Sequence, residues 1–194
     1  MRLRVDPHVP RNAPGGKTQE GNHIPWNGAG KPSVGVSRRL AEASWPARGV
    51  EDPWGNAKAA RWMLPAGQVA VRAGLLAWQR AREHERSAPR ERGVLVTGVE
   101  GAWPDWLKGR GAAQVAGEWR AKPPLWLLEC LPNLPAAQLA IEIGAKGPVE
   151  SRRSRRDDEA SVARALGRWQ RRGVRTVLVV RLTGEAAKAE VWSL

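Results

Sequence analysis

Arg152, Arg153, Arg155 and Arg156 stand within five residues, and Asp157, Asp158 and Glu159 follow at once. A guanidinium stays protonated and recognises carboxylates and phosphates through paired N–H donors. The arginines are therefore candidates for binding an acidic partner, not for acid–base catalysis. The three acids open an amphipathic segment, where each favours the positive end of a helix dipole by ~0.3–1 kcal/mol. That is a simpler role for them than metal ligation. Cys130 is the one thiol in the chain, and its simplest role is that of a small buried residue. His8, His23 and His84 are scattered, each read as a surface or loop residue. No GxGxxG, P-loop or HExxH occurs, and "GAKGP" lacks the Ser or Thr that a phosphate loop needs. The residues imply no metal and no cofactor.

Bulk properties narrow the classes. A chain of 194 residues holds one α/β domain with a core of adequate size, and hardly two. The net charge of +13 and a pI near 11.3 bring nucleic acid, anionic lipid and acidic proteins into view. However, 11 Trp with no Phe and no Tyr, and Arg in excess of Lys, is also what GC-rich codons produce, so charge alone does not establish binding. A single Cys excludes an internal disulfide and a Cys-based zinc site, which suits a reducing compartment. No apolar run approaches the roughly 20 residues of a membrane span, and the N-terminus lacks a signal-peptide apolar region. The expected location is cytoplasmic, with no membrane contact.

Several elements must position the arginines. Residues 1–33, rich in Pro, Gly and Asn, read as a loosely ordered arm with "MRLRV" as a possible first strand. Residues 34–194 read as the folded domain. "LPAGQVAVRAGLLAWQRAREHE" predicts a helix with Pro65 in its first turn and Val69, Ala73, Leu76 and Arg80 on one stripe, Leu75 and Trp78 beside it. "RGVLVTG" predicts a buried strand. "PDWLKGRGAAQVAGEWRAK" gives a weaker helix, and "PLWLLEC" is either strand or extended loop. "PNLPAAQLAIEIGAKG" predicts a helix capped by Asn133, with Ala136, Leu139, Ala140 and Ile143 as its face and Gly144 as its end. Val162, Ala163, Leu166 and Trp169 mark another helix, closed by Gly173. "VRTVLVVRL" predicts a strand, and "AEVWSL" returns beside it through Thr183 and Gly184. Helices alternating with strands define an α/β fold with a mixed β-sheet and helices packed on it. Two similar runs, "LPAGQVAVRAG" at 64–74 and "LPAAQLAIEIG" at 134–144, read as similar helix starts packed in similar ways.

The run "LPNLPAAQLAIEIGAKGP", then "VESRRSRRDDEASVARALGRWQRRG", then "VRTVLVVRL" resembles the N-terminal half of β-ketoacyl synthases, members of the thiolase superfamily. Upstream, "RGVLVTGVEG" is similar to the family strand that precedes a loop flanking the active site. The resemblance spans roughly residues 35 to 185 and is most specific over its last fifty. It implies half of a thiolase-like fold, with residues 34–194 as a β-ketoacyl synthase-like N-terminal domain.

In the family a nucleophilic Cys follows the Pro of "GP" by eight residues, at a strand-to-helix elbow where the helix N-terminus lowers the thiol pKa. Here that count from Pro148 lands on Arg156, which cannot form a thioester. Cys130 precedes the "LPN" helix and is no substitute. The Gly-Gly that follows the family's last strand is replaced by Arg181-Leu182, and the family's catalytic histidines belong to a C-terminal half that this sequence does not match. The resemblance thus implies a non-catalytic β-ketoacyl synthase-like protein, an accessory subunit in fatty-acid or polyketide biosynthesis. Its implied partners are an acyl carrier protein or a full-length ketosynthase, contacted through Arg152, Arg153, Arg155 and Arg156. An uncovered apolar layer and oligomerisation are expected, because such halves normally pack against a second half. The alternative is a basic nucleic-acid-binding protein using the same arginines, although no aromatic residues interleave them as stacking platforms.

Overall fold

The run Thr176–Thr183, TVLVVRLT, has Val177, Leu178, Val179 and Val180 fully buried. Consecutive burial means that both faces of this strand are covered, the condition under which a strand reads as an unbroken apolar run. Removing each such side chain from water contributes about 1.5–3 kcal/mol, so this strand anchors the domain. The computed structural model describes residues 37–55, 57–81, 86–99, 131–153 and 159–194, with 109–111, 114, 117–118 and 128. "MRLRV", "PLWLLEC" apart from Leu128 but with Cys130, and most of the weak helix between them lie outside the described residues, as do the three histidines. The chain divides by contact into Met1–Ser33 and Val34–Leu194, and every element below belongs to the second unit.

In chain order the elements are β1 (Arg38–Trp45), a single helical turn α1 (Ala57–Ala60), α2 (Pro65–Arg80), β2 (Arg92–Thr97), α3 (Leu134–Glu142), β3 (Val149–Arg152), α4 (Glu159–Gln170), β4 (Thr176–Thr183) and β5 (Ala186–Ser193). The five strands form one mixed sheet in the order β1-β5-β4-β2-β3. β2 is parallel to both β3 and β4, while β5 runs antiparallel to β4 and to β1. Strands β4 and β5 are joined by a tight hairpin in which Thr183 pairs with Ala186.

Handedness assigns the helices to faces. The connection from β1 to β2 crosses the sheet in one direction and that from β3 to β4 in the other, so right-handed crossovers put their helices on opposite sides. Accordingly α2 and α3 bury one face with Val94, Val96, Leu178, Val180, Ala189 and Val191. On the other face Val162, Ala165, Leu166 and Trp169 of α4 pack against Leu95, Val177 and Val179. The α/β class, with a mixed sheet and helices packed on it, therefore stands as expected, and Arg92–Thr97 pairs with Thr176–Arg181 at its centre.

α2 is more deeply enclosed than a single stripe implies. From Ala70 to Trp78 all its residues except Arg72 are buried, because β1, β5, β4 and α3 surround it, while Val69 is half-buried and Arg80 exposed. The two similar runs at 64–74 and 134–144 open α2 and α3, which lie against each other. A side-chain carbon added at Gly74 would stand 2.6 Å from Leu139 Cδ2, so the helices approach where Gly74 has no side chain. Asn133 occupies the position before α3, but its side chain makes no capping hydrogen bond. Its backbone is helical (φ −92°, ψ −5°) instead of extended, so the cap geometry that the sequence suggested is not formed. At the other end of α3, Arg92 donates from Nη1 to the Ile143 carbonyl at 2.9 Å, a cation at the negative end of the helix dipole.

Candidate functional site

The turn "KGP" that introduces β3 is built by close backbone contact. Gly147 N–H donates to the Arg92 carbonyl (3.1 Å), and Val94 N–H donates to the Pro148 carbonyl (3.0 Å). A β-carbon at Gly147 would lie 2.4 Å from the Arg92 oxygen, so only glycine fits. At the far end of the same parallel pair, Gly98 leaves β2 at φ +77° with the Leu182 oxygen 2.4 Å from where its β-carbon would be. Between these two glycines β3 is held in register, Val94 opposite Val149 and Thr97 opposite Arg152. β3 lies at the sheet edge, and its carboxyl end is where the chain turns toward α4.

Arg152, the last residue of β3, turns inward. Its Nη1 donates to Ser161 Oγ (2.6 Å) and to the Ser161 carbonyl (3.0 Å), and its Nε donates to Glu150 Oε1 (2.8 Å). Its side chain is only 19% exposed, so this guanidinium ties strand to helix and offers little to a partner. Glu150 also faces Arg168 of α4 at 3.8 Å. Arg153 is exposed. Arg155 and Arg156 lie outside the described residues, as do Asp157 and Asp158, while Glu159 stands in the first turn of α4. Of the two described arginines, Arg152 belongs to the fold and Arg153 faces solvent.

The expected apolar layer is corrected. Outward from the sheet, α4 exposes Glu159, Ala160, Ala163, Arg164 and Arg168. Among the described residues the exposed large apolar side chains are Leu131, Ile141 and Val149, and none lies on α4. The reason is amphipathicity: the four apolar residues of α4 already cover their own sheet.

Sequence reasoning missed Glu190. It is 4% exposed in the middle of β5, on the face that α4 shares. Its carboxylate accepts from Arg181 Nη1 in a short contact and from Arg39 Nη1 at 2.9 Å, with Lys188 Nζ at 3.6 Å. Glu42 joins the group through Arg39 (2.6 Å) and Lys188 (3.1 Å). Burial alone would push the Glu190 carboxyl up, but hydrogen bonds from Arg181 and Arg39 and the charges of Arg181 and Lys188 outweigh it and hold the group below its ordinary value. The hydrogen bond to Glu190, with Glu42 nearby, raises Arg39 in turn. Arg181, inside β4, is thereby an anchor between β4 and β5. The alternation Lys188, Glu190, Trp192 against Ala187, Ala189, Val191 was the available signal: a period of two with an acid in its middle.

Among the described residues no three His, Cys, Asp or Glu side chains are grouped as metal ligands would be. Among them, too, no helix is long and apolar enough to cross a membrane. No protein-family model matches the chain, and no curated protein sequence matches it. Among solved structures the chain is similar to AbyA1, a tetronic acid condensing enzyme, with 20% sequence identity and a TM-score of 0.40 over 82% of this chain and 51% of that one. The chain therefore bears a distant structural resemblance to a condensing enzyme and spans about half of that enzyme's length.

Proposed function

We propose that this protein is a non-catalytic β-ketoacyl synthase-like subunit that acts by association in fatty-acid or polyketide biosynthesis. One observation carries the reading: in a segment resembling the ketosynthase elbow, Arg156 stands where the family has its nucleophilic Cys. A residue that is always protonated cannot take an acyl group, but it can receive a carboxylate or phosphate. Arg153, Arg155 and Arg156 are the partner-binding residues in this reading, and Arg152 supports them from within the fold. An acidic partner of the acyl-carrier type, or a full-length ketosynthase, supplies the complementary surface.

The same charges argue against a homodimer joined through β3. Such a dimer would set the arginines opposite their own copies, and like charges opposed across strands are destabilising. Binding of an acyl carrier protein to the full chain, followed by calorimetry at two salt concentrations, tests the reading. Replacement of Arg153, Arg155 and Arg156 by Ser should weaken binding, flatten its salt dependence and strengthen self-association in sedimentation velocity. A tight wild-type homodimer that dissociates on this replacement would overturn the reading.

A further inference from the structure

We infer that the opposite end of the sheet, at the amino ends of β4, β2 and β3, is a docking surface for the phosphodiester backbone of a nucleic acid duplex. Three backbone bonds gather this surface. Arg175 N–H donates to the Glu91 carbonyl (2.9 Å), Lys146 N–H to the Pro89 carbonyl (2.7 Å), and Leu194 N–H to the Arg175 carbonyl (2.8 Å). The segments entering three adjoining parallel strands, spaced about 4.8 Å apart, are thereby brought side by side. They carry Arg90, Lys146 and Arg175, and the turn between α4 and β4 adds Arg171 and Arg172, all exposed. Glu91 is the acid among them, and it pairs with Arg175 at 3.3 Å while Arg175 remains 72% exposed.

Beside this row lies a cleft of about 210 Å³ lined by Leu40, Arg86, Ser87, Arg175, Thr176 and Ser193. A lining with two arginines and three hydroxyl-bearing residues suits a phosphate, which accepts paired N–H donors from arginine and further bonds from hydroxyls. The described residues of this surface include no exposed aromatic side chain, so bases have no stacking platform. Recognition would then be of the backbone and independent of sequence. The surface differs from the one in the functional proposal, since Arg153 follows the carboxyl end of β3 and these residues precede its amino end.

The test is fluorescence anisotropy with a labelled 20-base-pair duplex of mixed sequence and the full chain, titrated across salt. For every phosphate that a variant no longer neutralises, the slope of log K against log salt should become shallower by about 0.9. Substituting Arg86, Arg171, Arg172 and Arg175 by Gln should therefore shallow it by about 3.6 and weaken binding more than about tenfold at low salt. R171Q/R172Q alone, in an exposed turn, should shallow it by about 1.8, and thermal melting verifies that the fold is kept. Substituting Arg153, Arg155 and Arg156 should leave the slope unchanged, which separates this surface from the proposed partner site. No duplex binding, an unchanged slope in either basic-end variant, or equally tight binding of polyglutamate to this surface would overturn the proposal, the last by showing an acidic-protein site instead.

Discussion

Arg152 and Ser161 are joined twice, side chain to hydroxyl at 2.6 Å and side chain to carbonyl at 3.0 Å, between the end of β3 and the first turns of α4. Residues that sit nine apart in sequence, at the end of an edge strand and inside a helix, are thus fixed to one another. This link ties the end of β3 to α4, where β3 itself has only four residues and one strand neighbour.

Arg152→Ser should therefore destabilise the fold by about 1–3 kcal/mol, the usual range for losing hydrogen bonds from a charged group to half-buried acceptors. Arg153→Ser, one residue on and exposed, should fall within about ±0.5 kcal/mol. Urea unfolding of the two variants measures both. Equal effects would mean that Arg152 has no special role in the elbow.

How much of this is legible in the sequence depends on how strongly side-chain type is coupled to position. "TVLVV" announces a strand buried on both faces, and the paired "LP" runs announce helix starts, because in each the local pattern and the final environment agree. β1, "RRLAEASW", gives little signal: its inward residues are mostly small and its outward ones are Arg, Glu and Ser, so its alternation is faint. It also carries a bulge between Arg39 and Ala41, which shifts the period midway. The arginine run reads as one charged unit because sequence spacing cannot show that Ser161 stands within reach of the first of them. Glu190 escapes for a similar reason, since its three cations come from three strand positions, two on neighbouring strands.

Gly147 offers a sharper test of the turn. Its added β-carbon would meet the main-chain oxygens of Arg92 at 2.4 Å and Arg90 at 2.9 Å, and neither can retreat without losing the bonds that start β2 and β3. Gly147→Ala should lower stability by about 2–4 kcal/mol. At Gly55 no atom lies within 4 Å of such a carbon, so Gly55→Ala should be near neutral. Parallel thermal melts of the two variants decide between a packed turn and a loose one.

The absence of a nucleophile at position 156 predicts inert behaviour toward thioesters. Incubation with a labelled acyl-CoA and intact-mass analysis should show no covalent adduct, and no condensation product should form. An adduct mapped to Cys130 would show that the chain has a second route to acyl transfer, and the non-catalytic reading would fall.

Glu190 makes stability depend on pH in a defined window. Its carboxyl titrates lower in the folded chain than the ordinary value of 4.5, so the folded state favours the ionised form. The resulting stabilisation is fully present above 4.5 and is lost as the pH falls through the lower folded value. Glu190→Gln keeps the shape but exchanges one acceptor oxygen for an amide donor facing cations, and removes the negative charge beside Arg181, which is 13% exposed. At pH 7 this variant should be less stable than the wild type by about 1–3 kcal/mol. As the pH falls through that lowered folded value the wild-type carboxyl gains a proton and loses the same interaction, so the gap between the two proteins should close. Urea midpoints followed downward from about pH 7 through the acid range supply the comparison, and a gap that widens on acidification would show that the ionised Glu190 does not hold β5 to its neighbours.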